Sequence, residues 1–490
     1  MGEYRLIRKV NKERKKINRK KVINQDIFKV SVFFAVIFFA LIGFLSVFLI
    51  FQSSSVINNT YNKRSETLKN TVRRGSILTS TGEALAYTEV GEDGTENRIY
   101  PYGDLFFHSV GFESNGGMGL ESSYNYYLLT SHAGLFSKIG SEFNNSKLQG
   151  DNIVTTLDPS LQQVIYDTLG DNEGAAVVID PSTGEILAMV SKPDYDPNYV
   201  SSDWDTIVEN EDDAILLNRA TQATLTPGST FKIFTLLEYY REHQGNTDDF
   251  EYMCEGLLYV DGHTFGCPSG YAHGYENLRT AFANSCNCAF SEIGAGLDIE
   301  QFVENNNAML FNTDLDLDIA TRPSTFSLDP SASEFMIMQT AFGQGETLVS
   351  PIHLAMVTCA IANDGVLMKP HFVSSIEDSD GNTVKTFNPS VYTQLLTSDE
   401  AAFMKDSMRA VITEGTAIIL SYDGNYYAYG KTGTAETNSN KEENYDHSWF
   451  TGFAENNGRT LVVCAMIENM EEAGTTGLAV AKKVFDSYFN

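Results

Sequence analysis

Three short clusters in the sequence carry the groups that acyl transfer needs. The first is Pro227-Gly228-Ser229-Thr230-Phe231-Lys232, directly before a helical pattern. A serine hydroxyl is a poor nucleophile near neutral pH and needs a base. On the first turn of a helix, positions i and i+3 share a face, so the Lys232 amine can reach the Ser229 hydroxyl. The helix N-terminus adds a partial positive charge that favours an anion formed at the serine. The second cluster is Ser285-Cys286-Asn287, within NLRTAFANSCNCAF. From one turn, its hydroxyl can relay a proton while its amide holds a substrate amide. The third is Lys431-Thr432-Gly433-Thr434-Ala435-Glu436, on a strand pattern. A lysine with hydroxyl neighbours at a cleft rim suits a carboxylate ligand, and Gly433 lets a second backbone pair with the strand edge. Alone each cluster is weak. Ser-x-x-Lys arises about twice by chance in a chain this long, most often as a surface pair, whereas Lys-Thr-Gly arises about 0.1 times.

These residues need elements to position them. NIVTTLDPSLQQVIYDTLG reads as a strand and then a helix opened by Asp158-Pro159; the aspartate caps free N–H groups and proline suits the first turn. AAVVIDPSTGEILAMVS, residues 175–191, is a hairpin around Asp180-Pro181-Ser182-Thr183-Gly184. IFTLLEYYREH after Lys232 has helical periodicity, and a loop-rich stretch spans 245–275. Residues 350–365 form an apolar helix ended by Asn363-Asp364-Gly365. The C-terminal run reads as three strands and a helix. The loops between those strands are too short for parallel crossovers, so the strands should be antiparallel. With the hairpin at 175–191 they make a five-stranded antiparallel sheet packed by the N- and C-terminal helices, an α/β (α+β) fold.

The rest of the chain places this unit. Of 490 residues, 34 are Lys or Arg and 64 are Asp or Glu, for a net charge of −30. Residues 1–30 alone hold eleven basic and three acidic residues, a net +8, which leaves −38 on the remainder. An acid excess of that size argues against a nucleic-acid partner. Between the two blocks lies VSVFFAVIFFALIGFLSVFLIF, Val30 to Phe51, with no charge. As a helix, 22 residues span about 33 Å, enough for the hydrocarbon core. No small-x-small cleavage site follows, so the run is a retained span rather than a signal peptide. Basic residues crowd its N-terminal flank, and only Lys63, Arg64 and Lys69 follow closely. The N-terminus is therefore expected in the cytoplasm and the bulk of the chain outside, as a single-pass membrane protein. The expected divisions are a basic tail over 1–29, a transmembrane helix over 30–51, a stalk and membrane-proximal pedestal over 52–150, and a catalytic domain over 151–490. Within the pedestal, Arg74 to Val90 reads as strand, turn and strand. Residues 91–150, rich in Gly, Asn, Ser and Tyr, read as irregular.

The three clusters together say more than their sum. Ser-x-x-Lys, Ser-x-Asn and Lys-Thr-Gly occur in that order, separated by 52 and 143 residues, which is the set found in penicillin-binding proteins and class A β-lactamases. With RGSILTSTGEALA, GMGLESSYNYYL, TTLDPSLQ, VVIDPSTGEILAMVS, NRATQATLTPGSTFK, GQGETLVSPIHLA and KTGTAE…HSWFTGFA, the sequence resembles a class B penicillin-binding protein. One departure stands out: the family usually has Asp-Arg where this chain has Thr79-Ser80, which bears on the pedestal and leaves the catalysis untouched. The resemblance implies a β-lactamase/transpeptidase-like fold and D,D-transpeptidation of peptidoglycan stem peptides through a Ser229 acyl-enzyme. Ser229 is implied as nucleophile and Lys232 as general base, its pKa lowered by burial and by a second cation, Lys431. Ser285 would relay a proton and Asn287 would hold the substrate backbone. Thr432, Gly433 and Thr434 would bind substrate, the two threonines holding its terminal carboxylate, with the N–H groups of Ser229 and Thr434 as the oxyanion hole. β-Lactams would acylate Ser229 by the same route. Partners so implied are stem peptides, β-lactams, the lipid bilayer and a polytopic glycan polymerase. The rival readings are a D,D-carboxypeptidase, a serine β-lactamase and a non-catalytic cell-wall scaffold. No cofactor or metal is expected, and His353, His447 and the other histidines read as structural. Cys254 and Cys267 flank a loop on the exported side and are candidates for a disulfide. Cys286, Cys288, Cys359 and Cys464 read as buried core.

Overall fold

In the computed structural model, described residues are 2–47 and 68–490, except 144–145, 211–213, 261, 423 and 438–444. Two units separate, Met1–Lys63 and Arg64–Asn490. In the first, the basic segment and the apolar segment form one continuous helix, Gly2–Val47. Its stretch Ile27–Val47 is long and apolar enough to cross a bilayer, and its side chains are exposed. Rows of phenylalanines in water would be costly, whereas lipid solvates them. Most of the expected stalk lies outside the described residues.

In the second unit the C-terminal strands assemble as their short connections require. Strands Tyr427–Thr437, Tyr445–Asn456, Arg459–Ile467, Gly174–Ile179 and Ile186–Lys192 form one five-stranded sheet in that spatial order. Every neighbouring pair is antiparallel. Asn457 and Gly458, both at positive φ, make the two-residue turn between the second and third strands, as a tight hairpin demands. The turn after Ile179 is closed by Asp180, whose carboxylate accepts from the Ser182 N–H and hydroxyl. Gly174–Ile179 is buried at every residue and Arg459–Ile467 along its last seven, so both faces of the sheet are covered. Helix Pro351–Ala362 packs on three of the strands and is buried from Pro351 to Ile361; a helix apolar all round belongs inside. Helices Pro159–Leu169 and Gly477–Phe489 pack on each other and on the sheet. Asp158 caps the first of these, accepting from the Ser160 and Leu161 N–H groups with Pro159 beside it.

A second, six-stranded sheet draws on distant segments. Its order is Thr383–Thr386, Val373–Glu377, Asn152–Thr155, Ile77–Leu78, Ala84–Val90 and Glu96–Ile99. The strand–turn–strand expected at Arg74 to Val90 is there, and Ile77–Leu78 runs parallel to Asn152–Thr155. Strands from both sides of residue 150 thus share one sheet. The stretch read as irregular holds short helices, among them Gly119–Ser123 and Leu135–Phe143. Its aromatics do the packing: Phe107 stacks on Phe112, which meets Trp204 edge-on. At its centre Glu121, wholly buried, receives the Arg74 and Arg98 guanidiniums at 2.6 and 2.7 Å. Burial pushes the Glu121 carboxyl up, but the two arginines outweigh it and hold the pKa below the usual range. Where the Asp-Arg pair is missing, the Thr79 hydroxyl accepts the Glu83 N–H and closes the turn.

Candidate active site

Ser229 sits on a 3-10 turn, Gly228–Phe231, that runs straight into helix Lys232–Glu242. The turn is locked from behind by Phe231, which stacks on Phe234 and Phe326. In front, strand Tyr427–Thr437 passes so close that only glycines fit. A Cβ on Gly228, which has φ +54°, would lie 2.3 Å from the Thr434 carbonyl oxygen. One on Gly433 would lie 2.9 Å from the Pro227 oxygen. These contacts bring the first and third sequence clusters together.

The second cluster closes the site from the side. Helix Leu278–Ala283 ends at Asn284, and helix Asn287–Gly296 begins after two intervening residues. Between them Ser285 holds φ at +58°, a left-handed conformation that costs a non-glycine residue about 1–3 kcal/mol. That turn aims three groups at one amine. Lys232 Nζ lies 2.9 Å from Ser229 Oγ, 2.8 Å from the Ser285 carbonyl oxygen, 3.2 Å from Ser285 Oγ and 2.6 Å from Asn287 Oδ1. From the strand, Lys431 Nζ donates to Ser285 Oγ at 2.9 Å and to the Thr432 oxygen at 2.9 Å. The hydrogen-bonded run is therefore Ser229, Lys232, Ser285, Lys431. Asn287 also donates to the Gly266 carbonyl at 2.8 Å.

Both lysines are fully buried. Burial pulls the Lys232 amine from the ordinary lysine range down to about 7, although the nearby cysteines act in the opposite sense. Burial, then repulsion from Lys232, pushes Lys431 well below its usual value. Two amines bonded to one hydroxyl cannot both hold protons cheaply, so one is available as a base.

The strand that bears Lys431 lies at the edge of its sheet, so its outer backbone groups face the cleft and can pair with an extended peptide. Along it Lys431, Gly433 and Ala435 are buried, Thr432 is half-buried and Thr434 is exposed. Thr416, which the sequence reading passed over, brings its hydroxyl to 2.5 Å from that of Thr432; no periodic signal marks it. The histidines lie elsewhere in the packing. His353 donates to the Met309 carbonyl, and burial lowers it to about 4. His447 stands opposite Ala435 in the neighbouring strand.

The expected single disulfide is not what the structure presents. Cys254, Cys267, Cys286 and Cys288 are all unbonded, buried thiols, and Cys267 Sγ lies 3.7 Å from each of the other three. Cys286 and Cys288 are buried in the core as expected; that four of the six cysteines fall between residues 254 and 288 was the available sequence signal that they and the candidate pair form one cluster.

Comparison with known proteins agrees with this geometry. Residues 174–490 match the penicillin binding protein transpeptidase domain. The peptidoglycan D,D-transpeptidase PbpA of Mycolicibacterium smegmatis is 29% identical over 440 residues, covering 84% of this chain and 87% of that protein. Among solved structures, the D,D-transpeptidase domain of a peptidoglycan glycosyltransferase from Eggerthella lenta is 30% identical. It matches with a TM-score of 0.74, over 85% of this chain and 98% of that one. Penicillin-binding protein A of M. tuberculosis, as a ceftriaxone acyl-enzyme complex, is 25% identical with a TM-score of 0.78, over 86% and 100%. With the order of the three clusters and the antiparallel sheet that carries them, this match over most of the chain makes it a member of the penicillin-binding protein transpeptidases, of class B.

Proposed function

We propose that the chain is a membrane-anchored D,D-transpeptidase that cross-links peptidoglycan stem peptides through an acyl-enzyme on Ser229. The observation that carries this reading is the run Ser229–Lys232–Ser285–Lys431, which ends at an edge strand able to hold a peptide. Ser229 Oγ attacks the carbonyl carbon between two terminal D-alanines, and its proton passes to the neutral Lys232 amine. The oxyanion is met by the N–H groups of Ser229 and Thr434, whose backbones the Gly228 contact brings together; such donors act on charge that exists only in the transition state. Collapse breaks the peptide bond. The departing D-alanine nitrogen takes a proton through Ser285, which Lys431 supports. An amine of a neighbouring stem peptide then attacks the ester, forms the cross-link and returns the proton to Ser229. Asn287 and the edge strand hold the donor peptide, and Thr432 and Thr434 bind its terminal carboxylate.

A β-lactam enters by the same attack, with its ring nitrogen as leaving group held in the adduct. The acyl-enzyme solved for the M. tuberculosis relative supports this. The helix that runs from basic residues into Ile27–Val47 supports a single-pass anchor with its N-terminus in the cytoplasm and residues 52–490 outside. On that reading 52–150 links the span to the catalytic domain, 151–490, and contributes strands to the six-stranded sheet. A polytopic glycan polymerase, making the strands to be cross-linked, is the partner that the family resemblance supports.

Labelling the purified protein with fluorescent penicillin tests the nucleophile. Wild type should form a stable covalent adduct and Ser229→Ala none. An unlabelled wild type, or equal labelling of the mutant, would sink the assignment. Label lost within seconds would favour a β-lactamase. Release of D-alanine without a cross-linked product, with an acceptor amine present, would favour a carboxypeptidase.

A further inference from the structure

The cysteine cluster beside the site has a geometry of its own. A tetrahedral zinc ion bound by thiolates at about 2.3 Å sets its sulfurs about 3.8 Å apart, and a sulfur and an imidazole nitrogen about 3.5 Å apart. Cys267 Sγ lies 3.7 Å from Cys254, Cys286 and Cys288. Cys254 Sγ lies 3.5 Å from His273 Nδ1. The donor atoms of Cys254, Cys267, His273 and Cys286 all fall within 4.8 Å of one another. Thiols are weak hydrogen-bond donors and gain little from packing at such distances, whereas soft, sulfur-rich tetrahedral sets select zinc. A supporting contact is present too: the Ala289 N–H, on the first turn of helix Asn287–Gly296, donates to Cys286 Sγ at 3.4 Å. An N–H at a helix start favours an anionic sulfur.

The ligands come from two segments. Cys254 ends the strand Glu251–Cys254, and Cys267 follows the hairpin Leu257–Val260 and His263–Gly266. Cys286 lies between Ser285 and Asn287, and Cys288 follows. We propose that Cys254, Cys267 and Cys286, with Cys288 or His273 as the fourth donor, form a structural zinc site that holds the Ser285–Asn287 turn against this hairpin. Each coordinating thiol gives its proton to solvent as the metal binds. The ion fixes the backbone from which Ser285 and Asn287 face Lys232, and it touches no reacting atom. Its influence on acylation rests on the function proposed above. Metal content does not, so the two readings fail separately.

The test uses the full-length protein purified in detergent without chelator. Elemental analysis should find about one zinc per chain, retained in Ser229→Ala and lost in Cys254→Ser/Cys267→Ser. Replacing zinc with Co2+ should give thiolate-to-cobalt charge-transfer absorption in the near ultraviolet, a readout that needs no activity. Of Cys288→Ser and His273→Ala, one should lose the metal. Stripping the ion should slow penicillin acylation about a hundredfold, as expected when a catalytic group shifts by about 1 Å, and added zinc should restore it. The site is overturned if wild type holds no zinc after incubation with it, if mass analysis finds these cysteines joined in disulfides, or if both fourth-donor variants keep the metal. Unchanged acylation after the metal is stripped would overturn its positioning role.

Discussion

Ser285 shows most plainly what chemistry asks of a single residue here. Its φ of +58° is a conformation glycine would adopt freely, yet its hydroxyl is bonded to both buried lysines. Ser285→Gly should therefore leave stability unchanged or raise it by about 1 kcal/mol. The same change should slow acylation by about a hundredfold or more, the usual loss when a proton-transfer group is removed. Thermal unfolding and penicillin-labelling rates measured on one preparation give both quantities; a variant that is less stable and equally fast would contradict the argument. Lys232 carries the second expectation at this scale. Only its neutral amine is a base, and burial brings its pKa to about 7. The acylation rate should rise about tenfold per pH unit below 7 and level off above it. For stability, this folded pKa lies below the unfolded one, so the unfolded chain binds the extra proton between about 7 and 10.5 and this group's contribution grows with pH across that window. A labelling rate flat from pH 5.5 to 8.5 would remove Lys232 from the role of base.

Elements differ in how far local sequence announces them. The catalytic sheet was legible because its signals are local: alternating strands, short turns such as Asn457-Gly458, and a cap at Asp158-Pro159. The three clusters could be read for a similar reason, since each lies on one turn or one strand. What could not be read was pairing across the chain. Nothing in Ile77–Leu78 announces Asn152–Thr155 as its partner, or that Val373–Glu377 lies on the other side of that strand. The stretch 245–275 looked loop-rich because its hairpins are short and half exposed. With it went the cysteine cluster, which depends on where those hairpins fold back. The stretch before residue 150 likewise concealed its organising centre, the Glu121 carboxylate between Arg74 and Arg98. Breaking a buried ion triad leaves an uncompensated charge, worth about 3–5 kcal/mol. Glu121→Gln should lower the unfolding free energy by that order, and penicillin labelling at 20 °C should persist because the triad shares no hydrogen bond with Ser229, Lys232, Ser285 or Lys431 among the described residues. A loss under 1 kcal/mol in a denaturant titration would mean the arginines find other partners.

At the scale of the whole molecule, charge and burial act on different pH ranges. The chain outside the basic N-terminal segment carries −38, and its self-repulsion is screened by salt. Most of those carboxylates stay ionised down to about pH 5, so they change little between pH 7 and 5. Interior groups do change there: two histidines have strongly lowered pKa values, while burial raises the Asp194 carboxyl to about 6 and so acts in the opposite sense. His108 bonds to the Pro193 carbonyl oxygen and His353 to that of Met309, and burial lowers each pKa to about 4. In the unfolded chain a histidine takes its proton near 6.5, whereas in the fold it does so only near 4. Unfolding therefore takes up protons across this interval, and stability falls as pH drops from 6.5 towards 4, by about 3 kcal/mol for each histidine over the full range. Below about 4.5 the paired Glu121 adds a loss of the same sign, since its folded pKa is also depressed. Denaturant midpoints at fixed 0.15 M salt should thus fall between pH 6.5 and 5, before the surface carboxylates titrate. Raising the salt should leave that slope in place, because both histidines are shielded from solvent. Equal midpoints at pH 7 and pH 5 would show that the two imidazoles are already charged in the fold, and the burial argument would fail.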